Sequence, residues 1–506
     1  MKRNLGKIDW IVTVLPFVII FAVTGILFKY PFKSNSIISE IRFFFTDTFG
    51  IFYLILGFSI FLVSIYLAFS KYGNILLGGI DEKPKFSFFT WGSMMFTCGL
   101  AADILFYSFI EWTMYVNNPH ISEFGNVYEW AGVFPIFHWS FIPWAFYLVL
   151  AVVFGFMLHV RKRNKQRFSE ACRPLINKHT EKITGSFIDL FAIFALIAGT
   201  ATTFSVATPL MSEILIRLLG LRVNPTFVTI IILLLTCFTY TYACLYGIKG
   251  MSVLSKMCIY LFFSFLFTIF LIGGQYKFIL ENGLQSIGKM VQHFVELSTY
   301  TDPLRRSNFP QDWTMYYWSY WIVWCIAAPF FIGSISKGRT VKQVILGGYT
   351  FGVGSTLLSF IILGNYGLGV QVSGKADFIA NKANYTNNYS LILDIIETMP
   401  FSKILIIVLF ICMVAFYATS FDSIAYTASC YSYKSLREGE EPNKIVTLLW
   451  CILIIILPIA LVFSESSMTN IQSISIIAAF PIGIIIIMMV ISFIKDAKKY
   501  LKENQK

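Results

Sequence analysis

The chain has 506 residues, of which 57% are hydrophobic and 13% charged, with a mean hydropathy of +0.71. Soluble domains carry roughly twice that share of charge, so a soluble enzyme or binding module is excluded. A net charge of +12 would turn a soluble protein towards nucleic acid, but here Lys and Arg gather in alternate loops between apolar runs, the asymmetry that orients a membrane protein.

Twelve apolar runs of membrane-spanning length fall near residues 9–29, 50–70, 88–113, 133–160, 186–217, 225–247, 251–275, 313–335, 343–369, 402–431, 445–464 and 471–494. No small-x-small cleavage site follows the first, which reads as an anchor rather than a signal peptide. The basic stretches from Met1 to Lys7, Lys71 to Lys85, His159 to Arg167, Lys337 to Lys342 and Lys434 to Lys444, with the KDAKKYLK tail, share one side of a twelve-span chain. Both termini are therefore predicted to be cytoplasmic.

In the third run, WGSMMFTCGLAADILFYSFIEW, the small residues Gly99, Ala101 and Ala102 permit unwinding or close backbone approach. Asp103 follows them deep in apolar sequence. A carboxylate in hydrocarbon costs several kcal/mol unless paired or hydrated, so Asp103 reads as functional. Glu111, two turns on, reads as an interfacial or loop-bonding carboxylate. The fourth run contains FHWSFIPWAFYLV, in which Pro143 favours a kink that brings Trp139, Trp144 and Tyr147 towards one cavity. His138 beside them reads as a helix-packing or interfacial residue.

The loop from 161 to 184 reads as a solvated segment facing lipid head groups. Lys256 opens the seventh run and reads as snorkelling. Between 276 and 311, Leu284, Ile287, Val291, Phe294 and Val295 recur at helical spacing, predicting an amphipathic helix on the outer membrane face. The eighth run begins DWTMYYWSYWIVW. On a helix Tyr317, Trp321 and Trp324 share one face, with Tyr320 and Trp313 close beside it. The negative π-face of each ring attracts a quaternary ammonium by about 0.5 to 2 kcal/mol, and such a cation offers no N–H for a hydrogen bond to grip. Residues 369–400 read as an external loop. The tenth run, FYATSFDSIAYTAS, places Thr419, Ser420, Asp422 and Ser423 oxygens of the kind that hold a hard cation.

The nine cysteines are scattered without a CxxC pair and read as packing thiols. There is no Walker loop, dinucleotide fingerprint, kinase or hydrolase motif, or metal-ligand cluster, which argues against an ATP-driven pump. His120, His138, His159, His179 and His293 are dispersed, and nothing pairs a nucleophile with a base, which argues against an enzyme. A channel would need a continuous wetted path through such residues.

DWTMYYWSYWIVW followed by ISKGRT, together with FHWSFIPWAFY, resembles the betaine/choline/carnitine transporter family, in order and spacing over essentially the whole chain. GTATTFSVATPL, YTDP, EGEEP and SFIKDAK resemble the same family at their own positions. The resemblance implies an all-α integral membrane protein of twelve transmembrane helices with a leucine-transporter-like inverted repeat. Spans 3–7 and 8–12 form the repeats, behind two extra N-terminal helices. The organisation expected is 1–85 for the N-terminal tail and first two spans, 86–280 for the first repeat and 281–311 for the external helix and loop. The second repeat then occupies 312–494, and 495–506 is a short basic tail. Members of the family are commonly trimers, so a homotrimer in a bacterial cytoplasmic membrane is expected, with lipid around it and no nucleic-acid partner.

By resemblance the aromatic substrate box maps onto Trp139, Trp144, Tyr147, Tyr320, Trp321 and Trp324. Tyr320 departs from the usual Trp. Where sodium-coupled betaine carriers have a glycine-rich stretch, this chain has GLAAD, and the family's choline carriers resemble it in carrying an Asp at Asp103. A carboxylate favours a cation and repels a zwitterion's carboxylate. Import of choline by ion-coupled symport is therefore expected, with transport of betaine or carnitine as the alternative. Tyr317 and Trp318 are expected to gate. One sodium site of the coupled members resembles Thr97, Leu100, Phe416, Thr419 and Ser420, so sodium is the only metal in prospect, and no other cofactor is expected. A proton carried by Asp103 is the other route. Ion-independent carnitine antiporters have Arg and Met where this chain has Cys258 and Ala328, which disfavours that mode.

Overall fold

The computed structural model describes residues 8–79, 81–99, 102–380, 387–437, 440–463 and 468–504. Leu100 and Ala101 lie outside the described residues, as do Met1 to Lys7. Among the described residues the chain is helical throughout, with two isolated bridges, Ile8 to Tyr433 and Leu76 to Thr340, in place of strands. Eight helices among the described residues are long and apolar enough to cross a membrane, and two bent helix pairs raise the number to ten. The first and eleventh runs carry shorter apolar stretches, Trp10–Ile19 and Lys444–Ile456.

The two bent pairs lie where the site forms. The third run is broken into α1 (Phe88–Gly99) and α2 (Asp103–Val116), set at 61° to one another, as its small residues predict. The fourth run divides into α3 (Val133–His138) and α4 (Phe141–Gly155). Ser140 between them has φ −112° and ψ −113°, outside the helical region. Pro143 has no N–H to offer the carbonyl of Trp139 one turn back, so the kink falls where Pro143 directs it. The 37-residue α5 (Ile183–Leu219) is mostly buried and ends at Gly220, whose φ of +60° reverses the chain without a side-chain clash.

The eighth run is broken too, into α6 (Met315–Trp324) and α7 (Ala328–Ile335), with a 50° bend. That break was not anticipated, although Pro329 marks it: its missing N–H leaves the carbonyl of Cys325 without a helical donor. In the tenth run α8 (Ser402–Tyr431) is continuous, and from Ala415 onward every residue is buried.

Two expectations about connecting segments need correction, and the amphipathic helix is present with its faces now assigned. The basic loop is folded rather than solvated: Arg161 pairs with Asp496 and Glu503, Arg163 with Asp496, and Arg167 with Asp9 and Asp189. Those carboxylates come from both ends of the chain and from α5, distances in sequence that no local pattern reveals. The polar stretch 369–400 contains a helix, Asn388–Glu397, that buries Leu391, Ile392, Leu393, Ile395 and Ile396. The amphipathic helix exists as Tyr276–Gln292, but it turns Asn282, Gly283, Ser286 and Met290 inward. Leu284, Val291 and Val295 of its apolar stripe stay exposed. Small and polar residues let it lie close against its neighbours, with Asn282 donating to Asn365 at 2.9 Å, while Ile287 and Phe294 of the stripe pack against the core. Eight of the nine cysteines are buried and all are unpaired thiols.

Candidate substrate site

α2, the hinge between α3 and α4, and α6 meet around a small space lined by Trp139, Tyr147, Tyr320, Trp321 and Trp324, with Gly99 and Asp103 closing it. The free volume is about 10 Å³, at the lower limit for one water, so the rings must part to admit any organic cation. Trp321 is the hub. Trp139 stands edge-on to it at 5.1 Å and 84°, Tyr147 at 5.5 Å and 72°, and Tyr320 at 6.3 Å and 73°. Such edge-to-face contacts hold each ring's orientation while leaving Trp321's face able to meet a cation.

Trp144 stands one layer back, packed on Tyr147 at 5.7 Å. A Cβ at Gly99 would come within 2.8 Å of its indole and one at Gly352 within 2.3 Å, so two glycines make its place. Of the expected gates, Tyr317 lies over the site against Trp139, Tyr107 and His138. Trp318 turns instead towards Phe137 and Gly57, outside the cavity lining.

Asp103 is the first residue of α2, where the helix dipole favours negative charge. It is 3% exposed. Its Oδ2 accepts from the Tyr320 hydroxyl at 2.5 Å and the Thr203 hydroxyl at 3.1 Å, while Oδ1 has no hydrogen-bond partner. One carboxylate thus holds a hydroxyl-bonded oxygen beside a free one. Tyr320 and Asp103 are in direct contact. A Trp at 320 could not make this bond in the same way, since the hydroxyl that reaches Asp103 belongs to tyrosine. Thr203 escaped the sequence reasoning, hidden in the hydroxyl-rich GTATTFSVATPL.

The coupling-ion candidates lie where α8 passes the end of α1. Ser420 Oγ donates to the Thr97 carbonyl at 3.3 Å, and Thr97 Oγ1 donates to Ser255 at 2.9 Å. Thr419 bonds back to the carbonyls of Ala415 and Phe416. Leu100, the remaining candidate, falls outside the described residues. Asp422, one helical turn from Ser420's neighbours, is buried with Oδ2 unpartnered.

Glu111 also differs from expectation: it is 0% exposed and accepts the indole N–H of Trp139. His138 is 0% exposed as well, stacked on Tyr317 and hydrogen-bonded to Tyr115. Tyr115 one turn after Glu111 was the available sequence signal, since i,i+4 residues share a helix face.

The sequence matches the family described as BCCT, betaine/carnitine/choline family transporter, over residues 11–502. It is also similar to a solved structure of a Na+-coupled sialic acid symporter in a substrate-bound outward-open state, at 15% identity. That match covers 83% of this chain and 82% of that chain, with a TM-score of 0.45. A likeness at that level bears on neither mechanism nor substrate.

Proposed function

Because the chain belongs to the betaine/carnitine/choline transporter family, we propose that this multi-pass membrane transporter imports a cationic quaternary ammonium compound, choline or a close analogue, by ion-coupled symport with alternating access. The observation that carries the reading is Asp103, which lines the aromatic cavity and keeps Oδ1 free of hydrogen-bond partners. Aromatic faces alone serve betaine, carnitine and choline alike. A buried carboxylate beside them favours the member with net positive charge and repels the carboxylates of the other two.

In this reading the trimethylammonium seats against Tyr147, Trp321 and Trp324, with Trp139 and Tyr320 at its sides and Trp144 backing Tyr147. Asp103 supplies the counter-charge, and Tyr320 and Thr203 hold its far oxygen so that Oδ1 faces the substrate. Tyr317 closes over the outer side. A cavity of about 550 Å³ lined by Lys83, His159, Ile335, Tyr426 and Glu441 lies among the basic loops and serves as the inner vestibule. Spans 3–7 and 8–12 act as the two inverted repeats, each opening with one of the bent helix pairs. Both termini are cytoplasmic, the membrane is the bacterial inner membrane, and the unit is a homotrimer.

The coupling ion is a proton carried by Asp103 or sodium held near Thr97, Leu100, Phe416, Thr419 and Ser420. The contact of Ser420 with the Thr97 carbonyl favours a second reading, sodium-driven uptake of betaine or carnitine, in which Asp103 is structural. Replacing Trp321 by Leu is expected to abolish quaternary ammonium uptake while folded protein remains in the membrane; persistent uptake would refute the aromatic site.

A further inference from the structure

We propose that Glu111 and His138 are positioning residues that fix the indole planes of Trp139 and Trp321 for the quaternary ammonium. The inference rests on the transport reading above and assigns work to two buried groups which that reading leaves idle. Glu111 Oε2 accepts the indole N–H of Trp139 at 2.8 Å, and its Oε1 accepts the Tyr115 hydroxyl at 2.6 Å. The Tyr115 oxygen lies 2.8 Å from His138 Nδ1, and His138 Nε2 lies 3.1 Å from the Thr314 hydroxyl. The backbone carbonyl of His138, exposed by the break before Ser140, accepts the indole N–H of Trp321 at 3.1 Å.

With Glu111 ionised its carboxylate only accepts, and Tyr115 gives its single proton to Glu111. The Tyr115 oxygen must then accept from Nδ1–H of His138, and Nε2 accepts from Thr314. The His138 ring also stacks on Tyr317 at 4.8 Å and 20°. α2, the α3–α4 hinge and the start of α6 are therefore tied at one residue, just outside the cavity.

The tethering is selective. The indole nitrogens of Trp144, Trp318 and Trp324 have no hydrogen-bond partner, whereas those of Trp139 and Trp321 are each held from outside the cavity. These two rings form the closest and most nearly perpendicular pair in the site. Packing alone would be served by an apolar side chain at 111, since burying a carboxylate in the membrane is costly. What a carboxylate adds is two acceptors in one plane, enough to orient an indole and anchor it to a second span.

The test compares Glu111→Gln, Tyr115→Phe, His138→Ala and His138→Asn with wild type in three measurements. These are binding of choline, betaine and carnitine by intrinsic fluorescence, the KM and maximal rate of uptake in proteoliposomes, and near-ultraviolet circular dichroism. Gln at 111 can accept only one of the two donors, so Glu111→Gln is expected to weaken binding and raise KM about tenfold. Its maximal rate should stay within about twofold, and its near-ultraviolet signal should change. His138→Asn, whose amide N–H stands in for Nδ1–H, is expected to recover most of what His138→Ala loses, and Tyr115→Phe to fall between. Unchanged binding and an unchanged near-ultraviolet signal in Glu111→Gln would overturn the inference. So would a fall in maximal rate with binding intact. A wild type that binds none of the three compounds would sink the transport reading, while the near-ultraviolet signal still decides the positioning.

Discussion

Replacing Asp103 by Asn removes the charge while keeping the shape. The amide oxygen can still accept from Tyr320 and Thr203, the bonds that measure 2.5 and 3.1 Å in the native protein, so the hinge between α1 and α2 should stand. An ammonium centre held against Trp321, in the space this ring shares with Asp103, is assigned a separation of about 6 Å from the carboxylate, the reach of a cation–π contact. At an effective dielectric near 20 that attraction is about 3 kcal/mol, or roughly a hundredfold in affinity. Choline should lose most of this. Betaine should change by less than about threefold, because its ammonium loses attraction while its carboxylate loses repulsion. Competition by unlabelled choline and betaine, measured on the same variant, gives the ratio directly. Asp103→Gly should go further and favour betaine outright. Equal weakening of both compounds, or unchanged choline affinity, would refute the charge argument.

Removing the hydroxyls of Thr419 and Ser420 together should abolish any sodium stimulation of uptake while leaving substrate competition intact; sodium dependence that survives would clear these residues of coupling. Gly352→Ala would place a Cβ 2.3 Å from the Trp144 indole, and the shift it forces should lower stability by about 1 to 3 kcal/mol, read as a lower melting temperature in detergent. In the YTDP loop, burial pushes the Asp302 carboxyl up, but N–H donors from Ser307, Arg306 and Asn308 outweigh it and hold the group below the usual carboxylate range. A depressed folded value means stability that is present above the unfolded carboxylate range and lost as pH falls through the folded one. Below about pH 4 the wild type should therefore lose more melting temperature than Asp302→Asn; parallel losses would contradict this.

Much of this was legible because a membrane chain writes its fold in local signals. Apolar runs gave eight to ten of the twelve expected spans among the described residues, small residues before Asp103 gave the first broken span, and Pro143 marked the break at Ser140. The aromatic face of α6 could be read from helical spacing alone. What stayed hidden was contact between distant residues. Arg161 and Arg163 look solvated until the C-terminal helix brings Asp496 beside them. Tyr320 looks like a weaker tryptophan until its hydroxyl is found on Asp103. Glu111 looks interfacial because it stands at the end of an apolar run, and only the hinge at Ser140 brings Trp139's indole to it. The break before Pro329 had a signal in the sequence, and the length of the aromatic run concealed it.

Uptake of radiolabelled choline into proteoliposomes of the purified protein, with betaine and carnitine as competitors under an imposed sodium or proton gradient, tests the central claim most directly. Gradient-driven choline uptake that the two zwitterions scarcely inhibit is the expected result, and if protons drive it Asp103 is both charge partner and proton carrier. Sodium-driven betaine uptake, with choline a poor competitor, would contradict the account and move Asp103 from substrate recognition to structure.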